Sequence, residues 1–138
     1  MSSINEVSNK RRDIIYSDLG FTFTRNPLTD DISRITNEES VKQAIKNIVL
    51  TDRYERFMNP GFGCDVRKLL FENFSSITIS LVRKMVVDAI TNFEPRCQII
   101  DVKVDGDPDS HGLTITVIFS LINKETPITL SFYLTRVR

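Results

Sequence analysis

The apolar residues that follow Thr36 recur with the period of an α-helix. They fall at i, i+3, i+4, i+7 and i+8, in one stripe along a helix, and they are Val41, Ala44, Ile45, Ile48 and Val49. Thr36 and Glu39 have the spacing of a capping box, in which each side chain binds the other residue's backbone N–H. The pattern therefore predicts a helix that begins after Thr36 and ends near Leu50 or Thr51.

A second and longer helix is predicted to start after Thr78. Its apolar residues repeat once per helical turn over four turns, and they are Leu81, Val82, Met85, Val86, Ala89, Ile90 and Phe93. Pro95 disfavours helical geometry at Glu94, so this helix is predicted to end at about Phe93. Each of the two helices thus has one apolar stripe to bury.

The last third of the chain alternates apolar and polar residues with the period of a β-strand. The apolar positions of its three segments are Ile100, Val102 and Val104; Leu113, Ile115, Val117, Phe119 and Leu121; and Ile128, Leu130, Phe132 and Leu134. The predicted loops, 106–112 and 122–127, are short enough for consecutive antiparallel pairing. Because the apolar faces of sheet and helices must cover one another, we predict a two-layer α+β domain that ends in a three-stranded meander.

Three shorter elements are predicted from local signals. Residues 21–23 alternate and are interpreted as a brief strand, and the Asn-Pro-Gly-Phe-Gly segment at 59–63 is typical of a tight turn. Asp65 is predicted to cap a short helix. The residues of that helix expected to face inward are Val66, Leu69 and Leu70.

Composition places these elements in one domain and narrows the classes of partner. The 138 residues are 41% hydrophobic and 26% charged, which fits a single globular domain. We assign that domain to residues 13–138 and interpret the polar segment 1–12 as a flexible arm. The 18 Lys and Arg residues balance 18 Asp and Glu residues, which argues against a basic surface for nucleic acid or anionic lipid. Zero net charge also gives little protection against association, a first hint that other proteins cover this surface.

The cysteines and the absence of long apolar segments predict a soluble protein assembled in a cytoplasm. Cys64 and Cys97 are too few for a zinc site or a disulfide framework, and we expect reduced thiols. No apolar run approaches the roughly 18 residues that a membrane span needs. Residues 1–12 lack the apolar core of a signal peptide, so secretion by the usual route is not expected.

Residues that could perform catalysis or bind a metal form no recognised pattern. His111 is the only histidine, and any nucleophilic relay would depend on it alone. Glu72 and Glu94 border helices, but nothing around them indicates the sugar cleft that paired carboxylates of a glycosidase flank. A calcium-like run lacks the glycine and the distal Glu of a calcium loop, and it comprises Asp105, Asp107 and Asp109. The sequence therefore predicts no enzyme site, no metal and no cofactor.

One short motif remains, Asn-Phe-Glu-Pro-Arg at residues 92–96, where the second helix gives way to the sheet. Glu94 and Arg96 bracket Pro95, and two interpretations stand side by side. In the first, the two side chains form an internal ion pair that fastens the corner. In the second, Arg96 presents its planar donors to a partner while Glu94 positions it.

Two segments resemble a known protein family. They are residues 57–73, Phe-Met-Asn-Pro-Gly-Phe-Gly-Cys-Asp-Val-Arg-Lys-Leu-Leu-Phe-Glu-Asn, and the Asn-Phe-Glu-Pro-Arg motif at 92–96. Together they resemble the baseplate wedge proteins of contractile-tailed phages, the gene product twenty-five-like family, which is related to a baseplate component of type VI secretion systems. The resemblance covers about residues 14–136 in element order and is densest across 57–96.

The resemblance implies a virion structural protein of the inner baseplate. It implies that Glu94, Pro95 and Arg96 dock onto a core bundle of other wedge proteins, and that an exposed sheet edge accepts strands from tail sheath subunits to initiate sheath assembly. The edge residues expected to take part are Ile128, Leu130, Phe132, Leu134 and Arg136, with the chain end at Arg138. An exposed edge strand is a template for strand addition, which agrees with this expectation.

The partners expected from the resemblance are therefore wedge proteins and sheath subunits, with no nucleic acid, membrane or small-molecule substrate. Two alternatives remain. Members of this family have also been labelled lysozymes, which would require a muramidase acid at Glu72 or Glu94. The second alternative is an adaptor module that uses the same fold outside a tail.

Overall fold

The computed structural model describes residues 15–73, 75–107 and 112–136. In chain order its elements are β1 (Ser17–Leu19), β2 (Arg34–Thr36), α1 (Glu38–Leu50), α2 (Val66–Leu69), α3 (Ser76–Phe93), β3 (Cys97–Asp107), β4 (Gly112–Leu121) and β5 (Lys124–Thr135). The predicted α+β class and the C-terminal meander are confirmed.

The meander has β4 at its centre, with β3 and β5 antiparallel on either side. The alternate apolar residues of β4 are all buried, as predicted, and they are Leu113, Ile115, Val117, Phe119 and Leu121. Helix α3 packs chiefly on β3, whereas α1 contacts α3 and β5. The buried residues of α1 and α3 form one apolar core with this face of the sheet, which is the two-layer packing that the periodicity required.

The predicted capping box is wrong. Thr36 is the last residue of β2 and pairs with Ser17, and α1 begins two residues later with Asn37 as its N-cap residue. Asn37 does not cap the helix with its side chain; its Oδ1 instead accepts from the backbone N–H groups of Ile15 and Tyr16. Pairing of the N-terminal segment thus takes precedence over the local cap. The predicted helix end at Leu50 is confirmed.

The strand predicted at 21–23 is also wrong. The N-terminal strand is β1, which pairs with β2 in a small separate sheet, and 21–23 lies in the connection between them. Phe23 has a positive φ of 48° and Phe21 is 76% exposed. Their alternation therefore reflects an exposed turn, since two Phe residues separated by one Thr are too short a pattern to define a strand.

Helix α3 begins at Ser76, earlier than predicted, because Ser75 caps it by accepting from the backbone N–H of Thr78 at 3.2 Å. Its end at Phe93 is confirmed. The buried residues of its stripe include Val82, Val86, Ala89 and Ile90, whereas Leu81 lies at the border of the stripe and is 45% exposed.

A β-bulge changes the predicted facing of β3. Ile99 pairs with Phe119 and Asp101 with Ile118, so Ile100 is an extra residue without a partner in β4. Ile100 is 56% exposed, and its predicted inward position is wrong. Beyond the bulge the alternation is restored, and Val102 and Val104 are buried as predicted.

The loop predicted at 122–127 is shorter in the structure, because β5 already begins at Lys124. The strand therefore includes Pro127, whose missing N–H is tolerated on a strand at the edge of a sheet. In the described part of the chain, no strand pairs with the outer side of β5. The inward residues are covered unevenly: Ile128 and Leu134 are buried, while Leu130 and Phe132 are only partly covered.

The turn predicted at 59–63 is confirmed, and position 63 is the one in this turn that requires a glycine. Its φ is +110°, and a Cβ at this position would lie 2.3 Å from the carbonyl oxygen of Thr51. The short helix α2 follows, with Val66, Leu69 and Leu70 buried as predicted. Asp65 precedes it but does not cap it, since its carboxylate instead binds Lys68.

Several predictions concern residues outside the described ranges. They are the flexible arm at 1–12, His111, Asp109 and the chain end at 137–138. Among the residues that the structure does describe, none of the helices has the length and apolar character needed to cross a bilayer. The same residues contain no group of three or more His, Cys, Asp or Glu side chains arranged to hold a metal ion.

The two cysteines are unpaired, as predicted. Burial raises the pKa of the Cys64 thiol to about 11 and that of Cys97 to about 11 as well. Both thiols therefore stay protonated at neutral pH, where a protonated thiol is a poor nucleophile.

Candidate functional site

The Glu-Pro-Arg motif forms the corner at which α3 meets the sheet. The backbone N–H of Glu94 donates to the carbonyl of Ile90 at 2.8 Å, which closes the last turn of the helix. Pro95 is exposed at the tip of the corner. Arg96 directly precedes β3, and its carbonyl accepts from the backbone N–H of Ile122 at 3.3 Å. The corner is thus held at both ends by backbone hydrogen bonds.

Glu94 and Arg96 form a two-point ion pair. The Nε of Arg96 donates to Oε1 of Glu94 at 2.6 Å, and Nη2 donates to Oε2 at 2.7 Å. The Glu94 side chain is only 4% exposed, whereas that of Arg96 is 28% exposed. This parallel geometry is the strongest form of an arginine–carboxylate contact. The internal pairing, one of the two interpretations of the motif, is therefore present in the structure.

Two side chains far away in sequence complete the environment of Arg96. Its Nη1 donates to Oδ2 of Asp18 and to Oγ of Ser40, each at 3.3 Å. Ser40 in turn donates to the same carboxylate oxygen of Asp18. The guanidinium also lies 5.4 Å from the ring centre of Tyr16, a cation–π contact. The corner is thus bound to α1 and to the small β1–β2 sheet.

These contacts keep the charges of the corner in place. The hydrogen bond from Ser40, together with the nearby guanidinium of Arg96, lowers the pKa of Asp18. The hydrogen bond to Glu94, assisted by the charge of that carboxylate and by Asp18, raises the pKa of Arg96 above its ordinary value. Arg96 is therefore a fixed cation with one face partly open to solvent.

A shallow groove beside the corner is lined by polar side chains of α1 and by an aromatic pair. The rings of Phe62 and Phe93 lie 5.0 Å apart, and the guanidinium of Arg56 stacks 3.8 Å from the centre of the Phe62 ring. Arg56 and Arg96 both line this groove. The turn at 59–63 and the Glu-Pro-Arg corner, the two motifs behind the family resemblance, thus meet on one surface.

The predicted edge residues form a second surface, which the fold does not bring to the corner. The corner leads into β3, and β5 is at the opposite edge of the same sheet. Arg136 follows β5 directly, and its guanidinium lies 4.9 Å from the ring centre of Phe71. The residues predicted from the sequence therefore lie on two separate surfaces, the charged Glu-Pro-Arg corner and the unpaired outer edge of β5.

Sequence reasoning missed Asp18, Ser40 and Tyr16. Asp18 is 78 residues away from Arg96 in the chain, and no spacing rule connects the two. Only the pairing of β1 with β2, which precedes α1 directly, brings Asp18 and Ser40 together. A predicted hairpin at this point would have been the one usable signal.

A comparison with known families decides what kind of protein this is. The model of the baseplate wedge protein gp25 family matches residues 36–126. The chain belongs to the gp25 family of baseplate wedge proteins. The match spans α1, the turn at 59–63, the Glu-Pro-Arg corner and most of the meander, so it includes both segments that carry the resemblance, 57–73 and 92–96.

One individual relative carries the family assignment, and two solved structures share the fold. The chain is 33% identical over 98 residues to the baseplate wedge protein gp25 of Enterobacteria phage T4, which covers 71% of this chain and 74% of the phage protein. A crystal structure of a proposed tail lysozyme from Geobacter sulfurreducens is similar with a TM-score of 0.66 and 25% identity, over 73% of this chain and 92% of that one. A chain of the anti-feeding prophage baseplate is similar with a TM-score of 0.61 and 18% identity, over 87% and 85%.

This gp25-family protein is accordingly a structural component of the baseplate in a contractile tail. The family accounts for the fold and for the class of assembly in which the chain takes part.

The Asp18 contact predicts a pH-dependent difference in stability. Because the folded state lowers the pKa of Asp18, its contribution is present above the unfolded pKa of about 3.9 and is lost as the pH falls through the folded value. Asp18→Asn is therefore expected to lower the free energy of unfolding at pH 6, and the effect should shrink as the pH falls below the unfolded pKa. The side chain is 46% exposed, so solvent screening limits the loss to about 0.5–1 kcal/mol.

Thermal unfolding across this pH range, followed by circular dichroism, measures the difference. Asp88→Asn is the matched control, because Asp88 is exposed on α3 and takes part in no ion pair in the described part of the chain. A pH-independent effect of Asp18→Asn would contradict the contact with Arg96.

Proposed function

We propose that this protein joins the baseplate wedge to the tail sheath. In this proposal the corner of Glu94, Pro95 and Arg96 docks onto other wedge proteins, and the outer edge of β5 accepts a strand from the first sheath subunits. The protein thereby initiates sheath assembly.

The corner is suited to docking because its charge is preorganised. The three guanidinium nitrogens of Arg96 donate to Glu94, Asp18 and Ser40, so a partner would meet a guanidinium whose rotamer is already fixed. Little side-chain entropy then remains to be lost on binding. The exposed ring of Pro95 and the Phe62–Phe93 pair lie beside it as apolar contact area. The internal ion pair and the docking role are therefore compatible, since the pair supports the donor that a partner would contact.

One observation supports strand addition above all others: the edge formed by β5 is incomplete in the free chain. Leu130 and Phe132 point to the core side yet stay partly uncovered, and no described strand pairs with the outer side of β5. The opposite edge differs, because the bulge at Ile100 interrupts it and the Asp101 carboxylate binds both Arg83 and the backbone N–H of Val102. A regular open edge is the usual template for an added strand, whereas a bulge blunts one.

We also propose that the protein is not an enzyme. The similarity to a proposed tail lysozyme makes a muramidase the second candidate, with Glu94 or Glu72 as the acid. Both carboxylate oxygens of Glu94 are bound by Arg96, and Glu72 is exposed to solvent just after α2. Neither has the apolar pocket that equips a carboxyl group as a general acid. Clearing of a peptidoglycan suspension by the purified protein, abolished by Glu72→Gln or Glu94→Gln, would contradict this.

A pair of proline substitutions in β5 tests strand addition. Adjacent residues of an edge strand direct their N–H groups to opposite sides, so one of Ser131→Pro and Phe132→Pro removes a bond to β4 and the other removes an outward donor. The variant that loses the bond to β4 is expected to lose about 1–3 kcal/mol of unfolding free energy. The variant that loses the outward donor should be more stable, yet it should no longer bind purified sheath subunit in a pull-down.

Phe132→Ala controls for the loss of the Phe132 side chain alone. Binding of sheath subunit that is unchanged in the variant whose outward N–H is missing would overturn strand addition at this edge.

A further inference from the structure

We propose that a groove beside β5 selects the sequence of the added strand, and that it favours a strand with alternating apolar residues and an acidic residue on the same face. This inference rests on strand addition at β5, and it adds the chemistry of the guest. The groove lies between α1, the β1–β2 connection and the core side of β5.

The groove has an apolar floor formed by residues from three parts of the chain. Leu130 contributes from β5, Leu50 from the end of α1, and Ile35 and Phe21 from the small sheet and its connection. Its volume of about 530 Å³ is within the range of sites that bind small ligands. Phe21 is 76% exposed in the free chain, so much of this apolar area is not covered by the fold itself.

The groove lies where side chains of a strand added at β5, the guest strand, would be directed. Helix α1 contacts β5, while α3 packs on β3 at the other side of the sheet. A strand added outside β5 would direct alternate side chains to the helix side of the sheet, because neighbouring strands share their inner face. Those side chains would enter the space between Leu130 and α1. In strand addition, backbone hydrogen bonds give affinity and such pockets for alternate side chains give specificity.

The charge of the groove wall determines which charged residue the guest strand can carry. Lys42 and Lys46 lie on the α1 side of the groove, one helical turn apart, together with Glu39. Lys42 is bound to Glu39 at 2.8 Å, whereas Lys46 is exposed and has no ion-pair partner among the residues described. The wall thus carries one uncompensated positive charge next to the apolar floor. An acidic residue of the guest strand would complement it, and a basic one would be repelled.

Labelled synthetic peptides can test this without knowledge of the natural guest. Two ten-residue peptides of alternating Val and Thr carry either Asp or Lys at one Val position near the end, and their affinities are measured by fluorescence anisotropy. The Asp peptide is expected to bind about three- to fivefold more tightly, as for one solvent-exposed ion pair. Lys46→Glu should reverse the preference.

Lys84→Glu is the matched control, because Lys84 is exposed on α3 and the substitution changes the net charge equally. It should leave the Asp preference intact. Leu130→Thr introduces a β-branched residue, which suits a strand, but it removes apolar area from the floor of the groove, and it should weaken the binding of both peptides together.

The outcomes separate this inference from the proposed function. Binding of both peptides with equal affinity, unaffected by Lys46→Glu, would overturn the groove while strand addition remains. Failure of both peptides to bind, or binding that persists when the outward N–H of β5 is removed by proline, would overturn the strand addition on which the groove depends. A preference for Asp that Lys84→Glu abolishes as well would show long-range attraction and would also overturn the groove.

Discussion

Arg96→Ala is expected to lower the free energy of unfolding by about 3 kcal/mol and to abolish incorporation into wedges. The substitution leaves the Glu94 carboxylate, which is 4% exposed, without its two-point partner. Removing one member of a buried ion pair typically costs about 3–5 kcal/mol, and the partial exposure of Arg96 places the estimate at the lower end. Asp18 and Ser40 lose the same partner. Urea unfolding measures the stability, and co-purification with the other wedge proteins measures incorporation.

The double variant Glu94→Gln, Arg96→Ala separates fastening from docking. It removes the orphaned charge, so it is expected to recover part of the stability that Arg96→Ala alone loses. It still lacks the guanidinium, so wedge incorporation should remain absent if Arg96 is a docking residue. A double variant that is stable and also incorporates normally would show that the motif only fastens the corner.

Gly63→Ala is expected to be the second most damaging change, with a loss of about 2–3 kcal/mol. Its φ of +110° is strained for any residue with a side chain, and the new Cβ would lie 2.3 Å from the carbonyl oxygen of Thr51. That contact is with backbone, so only a shift of the chain can relieve it. The same carbonyl accepts from the N–H of Cys64 at 2.8 Å, and the shift would weaken this bond. The loss corresponds to a decrease in Tm of roughly 10 °C for a chain of this length.

Gly61→Ala provides the internal comparison two residues away. A Cβ there would meet only the Asn59 side chain at 3.9 Å, an ordinary contact. This variant should stay within about 0.5 kcal/mol of the unmodified protein. Equal losses for the two variants would show that the turn responds to reduced backbone freedom in general, and not to the contact with Thr51.

Periodicity predicted the large elements well because burial imposes it directly. The five inward residues of β4 and the stripe of α3 were predicted from spacing alone, since a central strand and a long helix have a single face to bury. The errors have local causes. The extra residue at Ile100 shifts the facing of β3, and no sequence pattern indicates a bulge.

The predictions for the N-terminal part of the chain were wrong for a different reason. The cap expected at Thr36 was lost to strand pairing with Ser17, a contact between segments 19 positions apart that local signals do not contain. The same pairing brings Asp18 to Arg96. Thus the motif at 94–96 could be found from sequence and the family from its resemblance, whereas the residues that hold the motif in place could be found only from the structure.

The two edges of the meander differ, and the difference bears on how the proposed strand addition would proceed. On the β3 side, Asp101 ties up the N–H of Val102 and the extra residue Ile100 breaks the regular spacing of donors and acceptors. In the proposed assembly, strands are therefore added at β5 alone, so one copy would start a series of added strands and would not be inserted within it. A two-sided subunit would polymerise with its own kind into open fibres. Under the proposed function, a subunit with one such edge would give sheath assembly a fixed origin and a single direction.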